Sequence, residues 1–263
     1  MKYAAIALMV VATMLLSWKY VNLLWLKKDC KLYSLNYTAE AEPSIQEYQE
    51  LILAGIKNVE KFFDSQYKNK FEVFIYPNRN SLDSAWGSDW KIPAFKSECW
   101  MVASGISSKI DILSPKMWDT ESCEHKYGQK EQTRQLITHE LVHVFHGQLN
   151  VSPDFSDVKN IDWFIEGLAT YASGQCDSNR IAEVIKAIKG GSIPATTGQF
   201  WTGKLKYALS GTMVMYVDKK YGRSKINELL AYNGQEKILQ ALGITEISLL
   251  SGWKEYMLSL AGR

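Results

Sequence analysis

The sequence has almost no excess charge, so an electrostatic attraction to nucleic acid is excluded first. Its 263 residues include 30 lysine or arginine and 28 aspartate or glutamate residues, which leaves a net charge of only +2. We therefore expect no nucleic-acid partner. Internal repeats, low-complexity tracts and a second linker are also absent. Hydrophobic residues make up 46% of the chain, enough for the core of one domain.

Cysteine is scarce, and no C-x-x-C pair occurs among Cys30, Cys99, Cys123 and Cys176. The even number fits two disulfides in an exported domain, or four buried thiols. We expect Cys99 to pair with Cys123, and Cys30 with Cys176, although four cysteines allow three connectivities.

The N-terminus is apolar from Tyr3 to Leu26 except for Lys19. A transmembrane helix needs roughly 20 apolar residues, and a cleaved signal peptide would need a small-residue cleavage site that we do not find. We therefore predict a signal-anchor or transmembrane helix over residues 1–29, a linker over residues 30–42, and a membrane-anchored protein. Lys27 and Lys28 favour a cytoplasmic domain, whereas the cysteines favour an extracytoplasmic one, which we prefer.

Hydrophobic periodicity predicts an α+β fold over residues 43–263. A long helix over 44–67 comes first, followed by a strand over 71–76 and a short helix over 81–86. Two strands over 99–104 and 109–113 then flank a turn at Gly105 and complete a small mixed sheet. The rest is predicted to be helical, over residues 129–149, 161–173, 179–189, 205–221, 226–231, 236–242 and the C-terminal end.

Only four histidines are present, and three of them fall within eight residues. His139 and His143 stand four residues apart on a predicted helix, so both imidazoles can reach one zinc ion at ~2.0–2.1 Å. Glu140 follows the first histidine and is placed to act as a general base toward water. Because H-E-x-x-H fixes only three positions, a helix with two surface histidines is the alternative.

A third metal ligand separates these alternatives, and Glu166 is the candidate. It is the only acidic residue in the run WFIEGLATY, on a second predicted helix. A carboxylate in such an apolar setting is costly unless it is paired or metal-bound. The 22 residues between His143 and Glu166 leave room for the second helix to return beside the first, and the small Gly167 would allow close packing.

HELVH followed by WFIEGLATY resembles the gluzincin branch of the H-E-x-x-H metallopeptidases, the peptidase-MA-like group. The resemblance covers roughly residues 45–222 and depends on these two motifs. It implies that His139, His143 and Glu166 bind zinc and that Glu140 activates water against a peptide carbonyl. It also implies that Tyr207, at the start of YALSGTMVMYVDKKYG, stabilises the oxyanion; a packing role for this ring is the alternative.

Several further features follow from the resemblance. Some gluzincins have an aspartate four residues after the glutamate ligand, where this chain has Thr170, whose hydroxyl would bond an imidazole more weakly. The predicted strand over 99–104 would be the sheet edge that aligns an extended peptide. His146 does not fit the extended metzincin spacing, so we interpret it as structural or as supporting a ligand. We interpret His125 as a surface residue.

The sequence therefore predicts a zinc-dependent peptidase whose substrate is a peptide or protein. The first alternative is a catalytically silent, zincin-like envelope protein that binds a partner. An intact Glu140 argues against it, as does the count of three protein ligands where a structural zinc site usually has four. An envelope interaction protein without metal, and a zinc hydrolase acting on a non-peptide amide, are the remaining alternatives.

Overall fold

The computed structural model describes residues 23–261, which form one five-stranded sheet and ten α-helices. The strands are β1 (Leu26–Asp29), β2 (Tyr33–Tyr37), β3 (Phe71–Tyr76), β4 (Ala103–Ile106) and β5 (Lys109–Leu113). The helices are α1 (Ile45–Phe63), α2 (Arg79–Asp89), α3 (Trp118–Glu121), α4 (Lys130–Gly147), α5 (Asp162–Ala172), α6 (Ser178–Lys189), α7 (Lys206–Tyr221), α8 (Arg223–Leu229), α9 (Gln235–Leu242) and α10 (Glu246–Leu260). The predicted α+β fold with a small mixed sheet is thus confirmed.

The sheet has the strand order β1-β2-β3-β5-β4. Its three central strands are parallel, and the two outer strands, β1 and β4, run antiparallel to their neighbours. Helix α1 connects β2 to β3, as a parallel pair requires a crossover. Strand β4 is joined to β5 by a tight hairpin, and its other side has no strand partner in the described sheet.

The hairpin differs from its prediction in register. Gly105 lies inside β4, the turn falls at Ser107 and Ser108, and residues 99–102 precede the strand. The physical reason is close packing, because a Cβ at position 105 would lie 2.5 Å from the carbonyl oxygen of Glu140 in α4. Glycine is needed here so that a helix can approach the strand, and not for the turn.

The predicted membrane anchor is corrected by the structure. Leu26, the last residue of the apolar run, begins β1, which pairs with β2. Trp25 packs edge-on against Phe74 and Tyr76 with ring centroids 5.4 and 5.3 Å apart. Among residues 23–261, no helix combines the length and apolarity needed to cross a membrane. The anchor and the membrane localisation inferred from it are therefore wrong for the described residues; residues 1–22 of the predicted span lie outside them.

Residues 30–42, interpreted from sequence as a linker, contain β2. Tyr33 and Leu35 of this strand are completely buried. The segment therefore contributes to the sheet and to the core, because its alternating apolar side chains have a helix-covered face to pack against.

One of the two predicted disulfides is confirmed and the other is wrong. Cys99 and Cys123 form a disulfide with their Cα atoms 5.4 Å apart, as predicted. Cys30 and Cys176 are free thiols, so their predicted pairing is wrong. Cys30 lies against Gln49 of α1, which donates to its sulfur at 3.3 Å, whereas Cys176 lies beside α7.

Close helix packing positions the candidate site. A Cβ at Gly55 in α1 would lie 2.5 Å from Leu141 of α4, and one at Gly167 in α5 would lie 2.3 Å from the carbonyl oxygen of Ser210 in α7. The small residue at position 167 thus brings α5 against α7, not against α4 as the sequence suggested. Helix α4 lies between α1, β4 and α5, so both faces of its central turns are buried.

Candidate metal centre

Three of the predicted site residues converge at one point between α4 and α5. His139 Nε2 and His143 Nε2 are 3.1 Å apart. The Oε2 atom of Glu166 lies 3.3 Å from the first nitrogen and 3.6 Å from the second. The i, i+4 spacing on α4 places the two imidazoles on one face, and α5 brings the carboxylate to them.

The donor set fits a zinc ion. In a tetrahedral site with Zn–N distances of ~2.0–2.1 Å, two ligand nitrogens lie ~3.3 Å apart, close to the 3.1 Å separation of the two Nε2 atoms. Two imidazoles and one carboxylate are also the ligands of a catalytic site with one open position. The two histidines are nearly buried, with 8% and 7% of their side chains exposed, while Glu166 keeps 25%.

The electrostatic environment of Glu166 favours its ionised form. Burial raises the pKa of this carboxyl group, but the neighbouring imidazoles of His143 and His139 lower it more, so the net pKa lies well below the ordinary value. Glu166 is therefore ionised at neutral pH and presents a negative charge to the two histidines.

Glu140 lies beside this cluster in a different environment. Its residue is 6% exposed, and burial raises the pKa of its carboxyl group to about 7. The His139 imidazole and the backbone N–H of Gly105 lower that pKa, whereas the Glu166 carboxylate raises it. A carboxyl group with a pKa near neutrality can both accept and return a proton, which is the property of a general base that later acts as an acid.

One supporting residue was missed by sequence reasoning. Gln175, in the turn after α5, accepts a hydrogen bond from His139 Nδ1 at 2.8 Å and so directs Nε2 of that ring toward the cluster. The Thr170 hydroxyl, expected to bond an imidazole, is buried and has no hydrogen-bond partner among the described residues. Nothing in the local sequence pattern marks Gln175, because it lies in an irregular turn nine residues beyond Glu166.

Tyr207 lies at the same site, at the start of α7. Its ring centroid is 6.1 Å from that of His139 in an edge-on arrangement. Burial, with added repulsion from the Glu166 and Glu140 carboxylates, raises the pKa of its phenol far above the ordinary value. Tyr207 therefore keeps its proton at neutral pH and is available as a hydrogen-bond donor.

The two remaining histidines are not part of the cluster. His146 is completely buried, and its ring contacts those of Phe155 and Phe164 with centroids 5.0 and 5.7 Å away. Burial lowers the pKa of its imidazole to about 3, so it is neutral at ordinary pH. His125, interpreted as a surface residue, is half-buried at the edge of the cleft and packs on Trp118.

The cluster opens into a cleft of about 460 Å³. Strand β4 forms one wall, and the ends of α5, α6 and α7 contribute to the other. Four tryptophans line it: Trp86, Trp90, Trp100 and Trp201. Such a cleft offers a strand edge and apolar walls to an extended ligand.

Comparison with known proteins gives no assignment: the chain matches no protein-family model, and no curated protein is significantly similar to it.

Proposed function

We propose that this protein is a zinc-dependent peptidase of the gluzincin type. The observation that carries the proposal is the convergence of His139 Nε2, His143 Nε2 and Glu166 Oε2 within 3.6 Å of one another, with the buried Glu140 beside them. Three electron-pair donors directed at one point are stable together when a cation lies between them. Zinc held by these three groups would lower the pKa of a water molecule and polarise a carbonyl group.

The chain's own residues account for the remaining steps. Glu140 accepts a proton from the attacking water and returns it to the nitrogen of the leaving amine. The Tyr207 phenol donates a hydrogen bond to the carbonyl oxygen as negative charge develops on it. Gln175 holds His139 in one tautomer and orientation.

The edge of β4 binds the substrate backbone in this proposal. Residues Ala103 to Ile106 border the cleft, and the side of the strand away from β5 has no strand partner in the described sheet. An extended peptide can add there as a further strand, so its main chain is held without reference to its sequence. Gly105 allows α4 to approach β4 closely, which brings Glu140 next to the peptide bond that lies along the strand.

Metal content of the full chain is the first test. We expect about one zinc per folded chain, bound by three protein ligands, and a sharp loss of zinc in Glu166→Ala. Glu183→Ala removes an exposed carboxylate of α6 that lies away from the cleft, and it should leave the zinc content unchanged. If the folded parent takes up no zinc at neutral pH, the proposal is wrong.

Catalysis is tested separately from binding. Glu140→Gln keeps the size of the side chain and removes the base, so zinc content should persist while peptide hydrolysis falls by roughly 10²–10⁴-fold. Hydrolysis that survives this change would exclude Glu140 as the base. A zinc-loaded parent that cleaves no member of a degenerate peptide library would instead favour a silent, zinc-binding protein.

A further inference from the structure

The cleft has two distinguishable ends, set by the direction of β4. At the start of the strand, Trp100 and Met101 precede Ala103, and Trp100 faces residues of α7 across the cleft. At its end, the N–H of Ser107 donates to the carbonyl oxygen of Pro153 at 3.1 Å, next to Asp154. A peptide along β4 therefore passes from one chemical environment to another.

Positive charge is concentrated at the first end. Arg180, in the first turn of α6, lines the cleft beside Gln175 and Tyr207. The Nζ of Lys206 lies 3.9 Å from the centre of the Trp100 ring and 4.6 Å from that of Trp201. The lysine thus joins the strand-side wall to the helical wall through cation–π contacts.

Neither cation is neutralised by an acid. Within residues 23–261, no carboxylate oxygen lies within ion-pair distance of Arg180 or Lys206. Arg180 Nη1 donates to the backbone oxygen of Gln175, while Nε and Nη2 have no acceptor among those residues. The nearby Asp177 caps α6, accepting the backbone N–H of Arg180 at 2.9 Å. The guanidinium therefore keeps two donor groups for a ligand.

The other end of the cleft has the opposite character. Asp154 borders the cleft there, next to Pro153. Lys109, which is in register with Ile106 at this end of β4, is neutralised by Asp89 and Asp111.

Two exposed acidic residues lie at the Trp100 end, Glu124 and Glu98, whose carboxylate accepts a hydrogen bond from Trp100 Nε1 at 2.8 Å. Neither forms an ion pair with Arg180 or Lys206. Arg180 is the only lysine or arginine that lines the cleft within residues 23–261, so the carboxyl terminus of a peptide is best accommodated at its end.

We propose that Arg180, assisted by Lys206, binds the free α-carboxylate of the substrate, so that the enzyme is a carboxypeptidase that releases one to a few C-terminal residues. This inference rests on the proposed peptidase function. The reaction is a single hydrolysis: the amide C–N bond breaks, the water oxygen bonds to the carbonyl carbon, and the water protons end on the new amine and carboxyl groups. The substrate then runs antiparallel to β4.

A pair of peptide libraries tests the assignment. Both are N-acetylated, sequence-degenerate decapeptides, one with a free C-terminal carboxylate and one with a C-terminal amide. We expect the zinc-loaded full chain to cleave the free acid near its C-terminus, ~10- to 100-fold faster than the amide, because the amide cannot accept a charge-assisted bidentate pair. Mass spectrometry of the products gives both the rate and the cleavage position.

Variants identify the residue responsible. In Arg180→Gln the ratio of acid to amide cleavage should fall toward one, and in Arg180→Lys it should be intermediate, because the charge remains but the planar fork is lost. Lys206→Gln should lower the ratio less. Arg134→Gln, which removes an arginine paired with Glu131 outside the cleft, should leave it unchanged. Both libraries are assayed with the same preparation of each variant. A loss of zinc caused by disturbing Gln175, which Arg180 contacts, therefore lowers both cleavage rates equally and leaves their ratio unchanged.

Each outcome decides the proposal. Equal cleavage of the two libraries, or a preference for the acid that Arg180→Gln preserves, would overturn it while leaving the peptidase function intact. If neither library is cleaved, the peptidase function fails, and binding is measured instead by the change in the tryptophan fluorescence of the whole chain on titration with each library. Tighter binding of the acid that is lost in Arg180→Gln supports the carboxylate site, and equal or absent binding excludes it.

Discussion

Helix α4 carries three histidines in two contrasting environments one turn apart. His139 and His143 meet the Glu166 carboxylate at 3.3 and 3.6 Å. His146 meets two phenylalanine rings and the side-chain amide of Asn150, 3.3 Å from its Nε2. All three residues are buried, at 6%, 6% and 0% exposure.

Burial therefore does not distinguish a candidate ligand from a core histidine. The difference lies in the partners that other elements supply. Helix α5 brings an ionised carboxylate to one pair of imidazoles, while the same helix and the loop that precedes it bring aromatic rings to the third. An imidazole among apolar neighbours remains neutral, whereas two imidazoles beside an ionised carboxylate can share a cation with it.

The largest effect is expected when one histidine from each environment is replaced by alanine. His143→Ala should weaken zinc binding roughly 100- to 1,000-fold, because a binding free energy of ~10–16 kcal/mol is shared among few ligands. It should change the stability of the metal-free chain much less. His146→Ala should do the opposite, leaving a cavity that lowers the free energy of unfolding while zinc affinity changes little. Zinc titration and urea unfolding of both variants measure the two effects.

His125→Ala is the matched control, because this half-buried histidine lies at the cleft without touching the cluster. The distinction between candidate ligands and a core histidine is wrong if His146→Ala loses zinc as completely as His143→Ala does while remaining folded.

A second, smaller effect should appear in the pH dependence of stability. Burial holds the pKa of His146 at about 3 in the folded chain, below its ordinary value of 6.5. The unfolded chain therefore binds this proton first, and stability falls as the pH decreases from about 6.5 toward 3. Linkage gives a loss on the order of 2 kcal/mol between pH 7 and pH 5 from this group alone. Urea unfolding of the metal-free chain at both pH values measures it.

His146→Asn removes the titrating group and keeps a polar amide of smaller volume. It should be less stable than the parent at pH 7, yet the difference in unfolding free energy between pH 7 and pH 5 should shrink. If the parent and the variant show the same difference, His146 is not held neutral by its surroundings.

The sequence carries enough information to predict the helices of the site and its candidate ligands but not the elements that face them. The i, i+4 histidines and the isolated Glu166 are local patterns, so α4, α5 and the three candidate ligands could be named in advance. The partner of Gly167 could not, because a small residue indicates close packing without indicating which helix approaches. Trp25 and Leu26 were assigned to an anchor for the same reason, since an apolar run does not show whether lipid or a β-sheet will cover it.

The smallest effect is expected at Gln175, whose role is visible only in three dimensions. Gln175→Leu removes the acceptor that holds His139 Nδ1 at 2.8 Å, so the ring loses its preferred tautomer and orientation. Losses from such supporting groups run from about 10- to 100-fold in metal affinity. We expect a loss of about tenfold in zinc affinity here, because a neutral amide oxygen increases the basicity of an imidazole less than a carboxylate does.

Two further variants serve as controls. Gln175→Glu, which restores a stronger acceptor, should regain the lost affinity, and Gln132→Leu on the exposed face of α4 should leave it unchanged. Competition against a zinc chelator gives all three affinities. An unaltered affinity in Gln175→Leu would mean that packing by Tyr207 alone orients His139, and the contrast with His146 would then depend on Glu166 only.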